Sequence, residues 1–164
     1  MSMDANAPLL SPAVAQFITS GLSITVASRG ERLVPSIAKA AACRIAPDLR
    51  EVTVLLFAEA GEAVCRDIAS NGLVAVCFSR PSTNQTVQLK GRDARSALAS
   101  PQDVAHARRY LDLLVDDLAS LRFDREMLDT FFWGDPADLM AIRFTPDAAF
   151  AQTPGPGAGT ALKG

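Results

Sequence analysis

The sequence predicts a mainly β protein: a small antiparallel barrel with helices at its periphery. Three observations predict it. The stretch Leu73–Arg92 opens with an apolar run to Phe78, breaks at Ser79-Arg80-Pro81-Ser82, and resumes as an alternating segment. There Val87 and Leu89 point one way and Thr86, Gln88, Lys90 and Arg92 the other, the pattern of a buried strand, a polar loop and a two-faced strand. Residues 51–57 (EVTVLLF) form a second unbroken strand signal. Finally, about six such stretches do not alternate with long helices, which argues against a parallel, doubly wound sheet. Small barrels close their edges and leave an inner face for side chains or one small ligand.

Taken in order, residues 1–10 read as a tail. Ser11-Pro12 starts a helix, with Ser as cap and Pro where a missing N–H costs nothing. Val14, Phe17 and Ile18 make its apolar face, and Gly21 closes it. Leu22–Ala27 is the first strand, Arg29-Gly30-Glu31 a turn, and Leu33–Ile45 one long strand bent near Pro35. Gly61–Asn71 is a short helix, with Val64, Cys65, Ile68 and Ala69 on one face and Asn71-Gly72 as its end. The alternating strand from Thr86 extends toward Leu98. Ser100-Pro101 opens the longest helix; Val104, Ala107, Leu111, Leu114, Val115, Leu118 and Leu121 recur at helical spacing, with Asp103 and His106 on its wet side. Asp124–Phe132 is a short helix, Leu139–Phe144 the last strand, and 151–164 a Gly- and Pro-rich irregular arm. The 164 residues read as a single domain.

Composition narrows the function classes. The formal net charge is −2 without a basic block, which argues against nucleic acid as a partner. No apolar run approaches the ~20 residues that span a bilayer, and the N-terminus lacks the basic region of a secretory signal, so a cytoplasmic location is expected. Cys43, Cys65 and Cys77 are widely spaced and read as core residues in a reducing compartment. One histidine and scattered cysteines offer no metal site. His106 reads as a surface residue, and no catalytic triad can be built on it. The segment 155–159 (GPGAG) lacks the Lys-Ser/Thr and following helix of a phosphate loop.

The order Val52–Phe57, Glu62–Asn71, Val74–Ser79, and the run Ser79-Arg80-Pro81-Ser82-Thr83 leading into residues 86–91 (TVQLKG), resemble the pyridoxamine 5′-phosphate oxidase-like family of FMN-binding split barrels. The resemblance covers about residues 12–150; the closing residues 150–159 resemble a tail of one subgroup. It implies a six-stranded antiparallel split β-barrel of Greek-key type, a homodimer, and FMN held in grooves between the subunits. It further implies that residues 146–160 lie across the partner subunit near that groove.

The resemblance also names site residues. Phe57 and Ala58 match positions that line the isoalloxazine, and Thr86 matches a polar contact to it. The phosphate-clamping basic pair of the family falls at Glu62, Ala63 and Val64 here, where a carboxylate repels a phosphate. Asn84-Gln85 stand where relatives present His-Arg. The remaining candidates for cofactor binding are Lys39, Arg44, Arg80, Gln88, Lys90 and Trp133. Each has a plainer reading. Lys39 and Arg44 face opposite ways on a strand, Arg80 suits a salt bridge, and Thr86, Gln88 and Lys90 suit the wet face of a strand. No catalytic residue stands out. Two functions remain open: an FMN-dependent oxidoreductase, in which the flavin carries the chemistry, or a non-catalytic dimeric barrel that binds a flat ligand weakly or has lost its cofactor. The sequence leaves a deazaflavin or a haem open as the occupant.

Overall fold

The computed structural model describes residues 10–162. The expected tail falls almost wholly on residues 1–9, outside the described part; Leu10 is buried. The order is α1 (Pro12–Ile18), β1 (Ser23–Arg29), β2 (Pro35–Ala40), β3 (Ala42–Ile45), β4 (Val52–Phe57), α2 (Ala58–Asn71), β5 (Val74–Ser79), β6 (Thr86–Gly91), β7 (Arg95–Leu98), α3 (Pro101–Ser120), α4 (Arg125–Phe132), a short 3-10 turn, β8 (Leu139–Phe144) and β9 (Pro146–Ala151). The strands form two antiparallel sheets, β2-β1-β5-β6-β9 and β3-β4-β8-β7.

The expectation of six strands needs correction: the described residues hold nine. The stretch read as one strand over Leu33–Ile45 is two. It breaks at Ala41, not Pro35; the Ala41 N–H bonds to Leu55 O at 2.7 Å, passing the chain from one sheet to the other. The strand extended toward Leu98 is likewise two, β6 and β7, in different sheets. Leu139–Phe144 is not the last strand. Residues 146–151 pair with β6 as an edge of the chain's own sheet, and Leu162 N returns to Ala149 O at 2.8 Å. The segment expected across a partner therefore starts as a strand of this protomer.

Local signals elsewhere carry through. Ser11 caps α1, Ser100 and Asp103 form a reciprocal capping box on α3, and Asp124 caps α4. Gly72, at φ 69°, closes α2 in the left-handed region. This helix begins three residues before the expected Gly61.

One apolar cluster joins the sheets. Ile24, Val26, Val76, Phe78 and Leu89 of the five-stranded sheet meet Val54, Leu56, Ile142 and Phe144 of the four-stranded one, with Val64 and Ile68 of α2. A smaller cluster, Leu111, Leu114, Val115 and Leu128, joins α3 to α4. No helix among the described residues is long and apolar enough to cross a membrane.

Candidate functional site

Strands β1, β2, β5 and β6 alternate between buried and accessible positions. A side-chain period of two sends one set into the core and the other to the far face. The pairing arranges that far face in rows. Lys39, Thr25, Cys77, Gln88 and Phe150 stand opposite one another across β2, β1, β5, β6 and β9. The next row holds Ile37, Ala27, Ala75, Lys90 and Ala148. The row on the other side holds Ser23, Ser79 and Thr86. The middle of this surface is small side chains, and its flanks are lysines. Lys39 and Gln88 lie three strand spacings apart, about 14 Å, roughly the length of an extended aromatic ligand.

Lys39 Nζ donates to Ser23 Oγ at 2.8 Å and to Thr25 Oγ1 at 3.2 Å. Partial burial lowers its pKa from the ordinary value, because desolvation disfavours the ammonium. Gln88 donates to Cys77 Sγ at 3.5 Å, a weak acceptor, and accepts from Gln152 at 3.5 Å, a long bond; either can be exchanged for a better partner. Lys90 Nζ sits 5.3 Å from the centroid of Phe150. Thr86 is more committed. Its hydroxyl lies 2.9 Å from Ser79 Oγ and 3.0 Å from Asn84 O, so its single proton has internal acceptors within reach. Its N–H donates to Thr153 Oγ1 at 3.0 Å.

Not all the expected residues gather here. Arg44 pairs with Asp103 at 2.7 Å, Nε to Oδ1, and Asp103 is buried. Burial pushes that carboxyl up, but the Ser100 N–H, the Arg44 guanidinium and the Ser100 hydroxyl together hold it below its ordinary value. Asp103 is thus not on a wet face. Neither is His106, half-buried, whose Nε2 donates to Cys43 O at 2.8 Å and fastens α3 to β3. Arg80 donates to Ser20 Oγ at 2.7 Å and lies 5.7 Å from the centroid of Phe17, tying α1 to the β5–β6 loop. Phe57 and Trp133 meet edge to face at 5.6 Å, with Arg108 over Trp133 at 5.3 Å. Ala58 opens α2 beside them. Among the described residues no hydrogen bond or ring contact joins this aromatic cluster to the sheet face. Asn84 and Gln85 are exposed in the loop, Asn84 at φ 60°. Glu62, Ala63 and Val64 lie in the second turn of α2, and Val64 is in the core.

Sequence reasoning passed over Ala27, Arg29, Ala75 and Phe150, and it placed Arg92 on the accessible row after Lys90 without counting it among the cofactor candidates. With Lys90 they line a groove of about 540 Å³ at one end of the sheet face. Alternation in Ser23–Arg29 carries the signal for Ala27 and Arg29, whereas Phe150 needs the pairing of β9, which no local pattern announces.

The site lies on an antiparallel two-sheet α+β fold of the split-barrel class. No protein-family model matches the sequence, and no curated protein does. Solved structures do match over most of the chain. HupZ of Group A Streptococcus superposes with a TM-score of 0.55 at 14% identity, over 92% of this chain and 99% of that one. A provisionally assigned pyridoxamine 5′-phosphate oxidase from Lactobacillus delbrueckii gives 0.53 at 11% identity, over 90% and 98%. An F420 reductase gives 0.50 at 15%, over 85% and 98%. The chain therefore has the fold of pyridoxamine 5′-phosphate oxidase-like proteins, as the sequence resemblance implied.

Proposed function

We propose that this protein binds a flavin, FMN, against the outer face of its five-stranded sheet, works as a homodimer, and serves as an oxidoreductase of the pyridoxamine 5′-phosphate oxidase-like type. The observation that carries the reading is the sheet face itself. Small floor residues (Thr25, Ala27, Ala75, Cys77) lie between Lys39 on one flank and Gln88 and Lys90 on the other. These residues fit a flat, anionic ligand: the floor admits a ring, and the flanks supply donors. Lys39 and Gln88 would orient the ring edge. A bound flavin supplies two-electron transfer.

The dimer draws support from apolar exposure. Ile37 on the outer face is 70% exposed, and Leu33 at the adjoining hairpin tip is 67% exposed. Contiguous exposed apolar groups mark interaction surfaces. A cytoplasmic location fits as well, since Cys43, Cys65 and Cys77 are all unpaired.

Equilibration with FMN followed by desalting tests the reading. Retained flavin absorbance at one flavin per subunit, on a species sedimenting as a dimer, is the expected outcome; a colourless monomer refutes it. Two observations favour a second reading, a non-catalytic binding module. Thr86 is engaged internally, and the opening of α2 is acidic through Glu59. Stopped-flow mixing of the flavin-loaded protein with reduced nicotinamide nucleotides separates the two, because only an oxidoreductase bleaches the flavin within turnover time. The F420 reductase among the structural neighbours makes a deazaflavin the competing occupant, to be titrated in parallel.

A further inference from the structure

A phosphate dianion needs cations, and those on or beside the candidate face can be sorted by what already holds them. Arg44 is engaged by Asp103, and Arg80 by Ser20 and the Phe17 ring. Lys39 already donates to two hydroxyls. The opening of α2 carries Glu59 in its first turn, and like charge repels a phosphate there. The opposite end of α2 differs. Just past the Gly72 cap, the outer face runs into the 540 Å³ groove lined by Arg29, Lys90 and Arg92 against one carboxylate, Asp147.

Arg92 pairs with that carboxylate at 2.9 Å. Among the described residues Arg29 forms no ion pair, and the Lys90 ammonium faces only the Phe150 ring. Three cations less one carboxylate leave the groove with two positive charges. The C-terminal dipole of α2 opposes an anion, but it amounts to about half a charge, which two full cations outweigh. Ala27, Ala75 and Ala148 form the floor in one row, and Phe150 supplies a ring at its side.

We infer that this groove is the anion subsite of the ligand site. The phosphate of the bound flavin lies between Arg29 and Lys90, beyond the C-terminal end of α2, and not at the N-terminal opening where the family pattern puts it. The inference rests on the flavin reading, and its test separates the two.

Fluorescence-quenching titrations with FMN and with riboflavin, which lacks the phosphate, are run on the wild type, an Arg29→Ala/Lys90→Ala variant and Lys90→Arg. The wild type is expected to prefer FMN by roughly tenfold or more. The double variant should lose that preference and bind both flavins equally. Lys90→Arg should keep the preference, and added salt should erode it. Both side chains are accessible, so the fold tolerates their truncation; far-UV circular dichroism checks this. A double variant that still prefers FMN overturns the subsite and leaves the flavin reading standing. So does a wild type that binds riboflavin as well as FMN. A wild type that binds neither overturns the flavin reading and the subsite together.

Discussion

The two sheets of this protein are built from the same kind of strand pairing and differ in what meets their far faces. In the four-stranded sheet, β4 is buried at five consecutive positions, Val52 to Leu56, including Thr53. Helix α3 is fastened beside it through Arg44–Asp103 and His106–Cys43. In the five-stranded sheet, burial alternates along β1, β2, β5 and β6. A strand covered on both sides reads as an unbroken apolar run, and a strand covered on one side alternates. Polar groups beside the covered sheet go into holding helices. On the open one Ser79 and Thr86 bond to each other, while Lys39, Gln88 and Lys90 can still reach something outside the chain. The expected site residues divide along this line: Arg44, Phe57, Ala58 and Trp133 belong to the covered side, and Lys39, Gln88 and Lys90 to the open side.

The largest effect should come from breaking the covered side. Asp103→Ala removes the N-terminal box of α3 and leaves Arg44 without its buried partner. A loss of about 3 kcal/mol is expected, read as a shift in the urea midpoint at constant slope, with no change in flavin affinity beyond that from unfolding. The pH dependence follows from the direction of the shift. The folded-state pKa of Asp103 is depressed, so its contribution is fully present above the ordinary carboxylate pKa, about 4, and is lost as pH falls through the lower folded value. Asp103→Asn should flatten that acid limb. An unaltered limb would break the contrast between the sheets.

Substitutions on the open side should show the reverse. Lys39→Ala and Gln88→Ala are expected to leave stability within about 0.5 kcal/mol of wild type and to weaken FMN binding roughly fivefold to tenfold each. Lys39 adds a pH signature. Desolvation lowers its pKa, so its charge, and its contribution to holding an anionic flavin, should disappear as pH rises through a value below 10.5. Stability should rise over the same window, because the unfolded state there binds the proton more tightly. In Lys39→Arg the alkaline loss of FMN affinity should vanish. A Lys39→Ala variant that loses several kcal/mol instead would mean that the open face is structural too.

The contrast also explains what the sequence made legible. Caps at Ser11 and Ser100, the Gly72 terminus and the strand at residues 52–57 were readable because each signal is local. The chain's passage between sheets at Ala41 was not, since residues 40–43 (AAAC) carry no turn signal; the break is imposed by the bond to Leu55. Asp103 and His106 looked wet because helical spacing says which face is polar, but not that a neighbouring strand brings Arg44 and a free carbonyl to meet it. Of the site, the alternating half on β6 could be read directly. The floor contributed by β1 and β9 could not, because pairing between distant segments decides which residues share a row.

The smallest effect expected is also the one most specific to the open side. Leu33 sits at the tip of the β1–β2 hairpin with φ 60° and 67% exposure. A branched side chain in the left-handed region costs roughly 1–2 kcal/mol, and its exposure gains the isolated chain nothing. Leu33→Gly removes the strain but adds the conformational entropy of glycine, about 0.5–1 kcal/mol, so the net gain should be about 0.5 kcal/mol in a dilute, monomeric sample. If the tip docks on a second copy, the same substitution deletes apolar contact and should raise the dimer dissociation constant. Stability measured across protein concentration therefore changes sign: Leu33→Gly is the more stable form when dilute and the less stable when concentrated. A gain that persists at every concentration would show that the hairpin tip meets no second copy.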